Sequence, residues 1–177
     1  MFGEGEWKVR KHGAGKRRTW RKLHLAVDEA TNNIHAVELT TNAVSDAQMV
    51  RPLLNTVKQP IAKLAGDGAY DQVKVYDLLI QREIQPLIPP RMNAAVWTDK
   101  EGEHLIHPRN EALNQIDKVG LVDWKKQIGY HRRSLAETAM FRWKTIFGAR
   151  LSTRLFSHQK IEARIKAHCL NRFTQLG

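Results

Sequence analysis

The first regularity in the chain is alternation. Over residues 20–27 the apolar Leu23, Leu25 and Val27 fall on one side of an extended backbone, and Lys22, His24 and Ala26 on the other. A period of two predicts a half-buried strand. The polar run Asp28-Glu29-Ala30-Thr31-Asn32-Asn33 predicts a turn, and residues 34–40, with Val37 and Leu39 among their apolar positions, predict a second strand. The two strands read as a β-hairpin. Beyond Ser45, which is placed to cap a helix, Met49, Leu53 and Val57 recur at helical spacing. Residues 61–65 are a short apolar run that stops at Gly66-Asp67-Gly68, the pattern of a buried strand ending at a loop. Residues 71–82 read as a helix with Val75, Leu78, Leu79 and Arg82 on one face, and residues 85–88 as a strand closed by Pro89-Pro90.

Residues 91–120 show no clear period and contain Gly102 and Pro108, so they read as a connection or insertion with one short helix. From Trp124 the pattern is helical almost to the end, interrupted around Gly148 and again near Ser157-His158. Strand, strand, helix, strand, helix, strand, helices is the order of a mixed α/β domain.

Composition narrows the class. A chain of 177 residues is one domain or most of one, and 42% hydrophobic with 27% charged residues describes a globular protein. Nowhere do about 18 apolar residues run together, so no membrane span is expected. Residues 1–7 offer neither a basic nor an apolar signal region, and a cytoplasmic address is the expectation. The single Cys169 has no second thiol to pair with and reads as a packing residue.

A formal net charge of +11 calls for a polyanionic partner, and charge alone leaves DNA, RNA and ribosome open. The charge is concentrated. No acidic residue lies between Trp7 and Val27, where Lys8, Arg10, Lys11, Lys16, Arg17, Arg18, Arg21 and Lys22 form a basic arm. After Gly148, Arg150, Arg154, Lys160, Arg164, Lys166 and Arg172 oppose only Glu162, which suggests a second phosphate-tracking surface.

Two acids stand out by context. Asp67 follows an apolar strand and sits between glycines, held by a sheet end yet open to a ligand, with room for a backbone or phosphate to approach. Glu137 lies in a helix expected over residues 132–147. At 100° per residue, Tyr130, Arg133 and Lys144 would project within about 20–40° of it, on one face. Leu135, Met140, Phe141 and Ile146 are expected on the core side, with Trp143 beside Lys144 on the polar stripe. A solvated face with an i,i+4 ion pair is the plain alternative at each of these positions. His12, His24 and His131 have no metal-ligand spacing.

Tyr130, Arg133, Glu137 and Lys144, with two, three and six residues between successive members, resemble the signature of the DDE transposases of bacterial insertion sequences. Gly66-Asp67-Gly68-Ala69-Tyr70-Asp71 is similar to the block around that family's second catalytic Asp. Gly3-Glu4-Gly5-Glu6-Trp7, Arg10-Lys11-His12-Gly13 and Arg18-Thr19-Trp20-Arg21-Lys22-Leu23-His24 resemble the branch named after insertion sequence five. The resemblance spans essentially the whole chain.

The resemblance implies an RNase H-like mixed sheet with flanking helices, in which two Asp and one Glu bind two Mg2+ ions, with Mn2+ as a substitute. Such ions activate a water or a DNA 3′-hydroxyl for in-line attack on a phosphodiester and stabilise the departing oxygen. By matching positions, Asp67 and Glu137 would be catalytic metal ligands. Tyr130, Arg133 and Lys144 would bind DNA phosphates, joined by Lys16, Arg17, Arg18 and Arg21 of the arm. DNA at insertion-sequence terminal repeats and target sites would be the partner, in a nucleoid-associated bacterial protein. A homo-oligomer or an association with full-length transposase would complete the assembly.

The family's first catalytic Asp belongs to a strand just before the glycine-glutamate-tryptophan block, whereas this chain starts at Met1-Phe2-Gly3. The expectation is therefore an N-terminally truncated member without that Asp or its central strand. On this reading residues 1–22 are the arm, 23–90 the hairpin and α/β core, 91–120 the insertion, and 121–177 the helical part with the catalytic Glu. Strand edges left open in this way cost about 1–3 kcal/mol per buried unpaired group, so the fragment is expected to be poorly stable and inactive alone. Asp28 is read as a turn residue, Asp46 as a first-turn helix acid, and Asp71 as a helix start with a possible supporting role beside Asp67. A non-catalytic DNA-binding fragment or inhibitor of full-length transposase is the alternative, and a small basic RNA-binding or ribosomal protein a more distant one.

Overall fold

The computed structural model describes residues 20–176, and the chain divides into two compact units, Met1–Lys58 with Leu135–Gly177, and Gln59–Ser134. In the first unit, β1 (Arg21–Val27) and β2 (Ile34–Thr41) form the expected antiparallel hairpin, with Leu23 opposite Leu39 and Leu25 opposite Val37. The register shifts at the turn end: Ala26 faces Ala36 but Val27 faces Ile34, leaving His35 over as a bulge. A bulge inverts the alternation, which returns Ile34 to the face of Leu39. Asp28 makes the turn. Its carboxylate accepts from the Thr31 hydroxyl and from the amides of Thr31 and Ala30. Those bonds, the Thr31 hydroxyl's first, hold its pKa below the usual carboxylate value.

Both hairpin faces are covered. Leu23, Leu25, Val27, Ile34, Val37 and Leu39 pack on Trp143 and Phe147 of α5 (Ser134–Phe147) and on Ala163, Ala167 and Leu170 of α6 (Phe156–Leu176). Ala26 and Ala36 on the other side meet Val44, Met49, Leu53 and Val57 around α1 (Val50–Thr56). His24 is thereby buried, with Nε2 2.8 Å from Thr40 Oγ1 and Nδ1 3.1 Å from Asp46. Burial lowers its pKa below 6.5 against the opposing pull of Asp46. Asp46 precedes the 3-10 turn that leads into the next helix, close to the helix start expected for it, and its carboxylate also faces the His24 ring.

Other sequence expectations shift. Ser45 does not cap a helix; its amide and hydroxyl donate to the Gln48 side chain, and a 3-10 turn (Ala47–Met49) leads into α1. Val57 lies past the end of α1 in extended backbone. The core line of α5 is Ala139, Trp143 and Phe147, so Trp143 is fully buried while Phe141 and Ile146 are exposed. Helix α6 runs unbroken through Ser157-His158, and the break is confined to residues 148–155.

In the second unit, β3 (Lys63–Ala65) and β4 (Gln85–Leu87) are a short parallel pair joined through α2 (Val73–Gln81). Val75, Leu78 and Leu79 are buried, as the helical period of residues 71–82 predicts, with Arg82 half-buried, and Tyr76, Ile84, Leu87 and Ile88 are buried with them. Strand β3 is less enclosed than expected, with Lys63 and Ala65 exposed. Pro86 and Pro89-Pro90 keep β4 short. Pro108 occupies the first turn of α3 (Pro108–Val119), where its missing amide costs nothing, and the His107 ring accepts from the Arg109 amide as the cap. Helix α4 (Leu121–Gln127) follows and buries Trp124. Among the described residues β1 and β2 pair only with each other, and so do β3 and β4.

Candidate active site

Asp67 stands where β3 ends. Its backbone is extended, and its Oδ1 accepts from the Ala69 amide at 2.9 Å, capping the 3-10 turn Gly68–Tyr70. The residue is exposed, and among the described residues no hydrogen bond engages Oδ2. The flanking glycines have unequal reasons. A Cβ at Gly66 would lie 2.8 Å from the Tyr70 ring, so the tyrosine needs that space. A Cβ at Gly68 would make only ordinary contacts at 3.8 Å, with Arg91 and the Pro89 carbonyl. Room for a ligand's approach is therefore not what Gly66 provides.

Asp71, four residues on, is its opposite in environment. Its side chain is 2% exposed; Oδ1 accepts from Arg109 Nε at 2.6 Å, and Oδ2 from Arg109 Nη2 at 3.3 Å and the Arg91 amide at 2.9 Å. Arg109 was not visible as a site residue in sequence. The sole signal was a His-Pro helix start beside it, and nothing local names a partner 38 positions away.

Tyr130 and Arg133 also belong to the second unit. Gly129, left-handed at φ 71°, starts a 3-10 turn (Tyr130–Arg133) that packs against β3, the strand leading into Asp67. The Arg133 guanidinium lies 5.7 Å and Lys125 Nζ 5.2 Å from the centre of the Tyr130 ring, a cationic corner around one phenol. The helix expected over residues 132–147 begins only at Ser134, and Tyr130 and Arg133, three positions apart in the preceding 3-10 turn, project from the same side of that turn. Glu137 and Lys144 remain about 20° apart on α5, both exposed, in the first unit.

Of the basic arm, Lys16, Arg17 and Arg18 lie outside the described residues. Arg21 starts β1, donates to Gln159 at 3.3 Å and sits 4.6 Å over the Phe156 ring. Part of the basic C-terminal surface is likewise engaged, with Arg164 paired to Glu38 and Lys166 to Glu162.

Among the described residues no group of three or more His, Cys, Asp or Glu is arranged to hold an ion. Asp67 alone still suits one position around a hard cation. Mg2+ keeps several waters and takes only one or two carboxylates, and Asp67 has an oxygen to give. No helix among the described residues is long and apolar enough to cross a membrane. Residues 1–172 match the family model described as transposase DDE domain. No solved structure matches the chain.

Proposed function

Because the chain belongs to the transposase DDE domain family, we propose that it acts in transposition, by metal-dependent phosphodiester cleavage and strand transfer at insertion-sequence ends. The carrying observation is Asp67, set at a strand end with one oxygen uncommitted, while the turn bearing Tyr130 and Arg133 packs on that same strand. Asp67 and Glu137 are the proposed ligands for Mg2+ or Mn2+. A bound divalent cation supplies activation of the attacking hydroxyl and neutralises charge on the departing oxygen. Arg133 suits a phosphate through two parallel hydrogen bonds, Lys144 as a point charge, and Tyr130 through its hydroxyl. Terminal-repeat and target DNA are the proposed partners, in the bacterial cytoplasm.

An RNase H-like sheet is the architecture we propose. An antiparallel hairpin and a parallel pair with a helical crossover are what such a sheet contains on either side of its central strand, and among the described residues each pair forms a two-stranded sheet. We propose that the branch is the one named after insertion sequence five, and that the central strand and first Asp must be contributed by sequence other than the described residues. The chain alone is then inactive.

The test is Mg2+-dependent strand transfer on a terminal-repeat duplex, with Mn2+ binding read by electron paramagnetic resonance. No product is expected from the chain alone, and robust turnover would overturn the inactive assignment. Mn2+ binding should weaken in Asp67→Asn and in Glu137→Gln. If neither substitution changes any measurable effect while neutralising the arm removes DNA binding, the chain is a non-catalytic DNA-binding protein instead.

A further inference from the structure

We propose that the buried Asp71–Arg109 pair is a positioning clamp that fixes the 66–71 loop on residues 91–109, so that Asp67 keeps one oxygen on the Ala69 amide and the other outward. The proposal rests on the reading of Asp67 as a metal ligand. Asp71 and Arg109 themselves touch neither ion nor DNA in it.

The pair needs an explanation other than stability. Its side chains are 2% and 5% exposed, and a buried ion pair returns in attraction about what it loses in desolvation, so apolar residues would hold the unit together as well. What apolar residues lack is direction. The Arg109 fork meets both Asp71 oxygens, donates through Nη1 to the Ala95 carbonyl at 2.7 Å, and lies 4.3 Å over the Trp97 ring. Trp97 in turn meets Tyr76 of α2 edge-on at 5.5 Å, and its backbone amide and carbonyl are both held by the Asn110 side chain. The clamp is therefore anchored to the core on one side.

On the other side it reaches the loop. Asp71 closes the turn that Asp67 opens, its amide donating to the Gly68 carbonyl at 3.3 Å. That carbonyl accepts a second bond from Arg91 Nε at 3.1 Å, while the Arg91 amide donates to Asp71. The residue next to Asp67 is thus pinned by both its own loop and the following segment. The two acids divide the work by environment. Asp71 has both oxygens on cation or amide donors and could ligate only by breaking a buried pair, whereas Asp67 has an oxygen uncommitted. Residues that orient a metal ligand in this way typically alter metal affinity about 10- to 100-fold when changed.

The experiment uses the full chain with Mn2+ alone as probe. Affinity is read by electron paramagnetic resonance and hydrogen exchange at the Ala69 amide by NMR, in wild type, Asp67→Asn, Asp71→Asn, Arg109→Lys and Arg91→Ala. Asp71→Asn and Arg109→Lys should weaken Mn2+ binding about 10- to 100-fold and speed Ala69 exchange, with circular dichroism unchanged. Exposed Arg91 can lose its side chain without threatening the core, and Arg91→Ala should also speed that exchange. If Asp67→Asn weakens Mn2+ binding but folded Asp71→Asn and Arg109→Lys do not, the clamp is overturned and the metal reading stands. If Asp67→Asn leaves binding unchanged, the metal reading falls. The clamp as a loop-fixing device then stands or falls on whether Ala69 exchange speeds in the variants. Should the buried variants not fold, unchanged Ala69 exchange in Arg91→Ala overturns the proposal by itself.

Discussion

Replacing Glu162 with glutamine should destabilise the chain at neutral pH and progressively less in acid. The carboxylate sits on α6, 13% exposed, and accepts from the amides of Ser152 and Thr153 at 2.9–3.0 Å, from the Thr153 hydroxyl at 2.8 Å and from Lys166 Nζ at 2.8 Å. It thereby ties the 148–155 break to the helix that follows. Burial alone would push its pKa up. The hydrogen bonds from Lys166, Ser152 and Thr153 outweigh burial and bring it from 4.5 down to about 2.

At about 1.4 kcal/mol per pKa unit that displacement corresponds to roughly 3 kcal/mol, and solvent screening near the surface reduces it to about 1–2 kcal/mol. The sign follows from linkage. A carboxylate with a depressed folded pKa contributes fully above 4.5, and its contribution fades as pH falls toward 2, because the unfolded chain takes up the proton first. Urea unfolding followed by far-ultraviolet circular dichroism at pH 7 and at pH 3 measures this. Glu162→Gln should lose about 1–2 kcal/mol at pH 7 and about half of that or less at pH 3. Equal stability of the two proteins at pH 7, or a gap that does not narrow in acid, would refute the reasoning.

Three further outcomes are expected. Trp143→Ala, which empties a site with 0% exposure, should cost about 3–5 kcal/mol in the same titration, whereas Phe141→Ala, 69% exposed, should stay within about 0.5 kcal/mol. Gly66→Ala should displace Tyr70 and lower the thermal midpoint, while Gly68→Ala should be tolerated; equal effects would contradict the geometry of the loop. His24 and His107 both have pKa values lowered chiefly by burial, so stability should fall as pH drops below about 6.5, where the unfolded chain binds protons that the folded chain refuses. His24→Gln should flatten part of that slope between pH 7 and pH 5, and an unchanged slope would count against a neutral buried imidazole.

What sequence alone determined is local. Period two placed Leu23, Leu25 and Val27 on one face, the Asp28 turn followed from side-chain bonds two and three residues long, and the apolar run before Gly66 set Asp67 at a strand end. Such features depend on neighbours the chain itself supplies. Tertiary structure decided the rest, because each remaining choice belongs to a distant partner. The second hairpin face looked half-polar until α1 covered it, and only then did His24 become a buried base. The buried line of α5 runs through Trp143 because Leu39 and Leu170 meet it there, not because its own period excludes Phe141. Residues 91–107 have no period to read, since Trp97, Asn110 and Arg109 hold them through side chains. Likewise Asn171 meets the backbone of Ile34 from 137 positions away, and no spacing rule reaches that far.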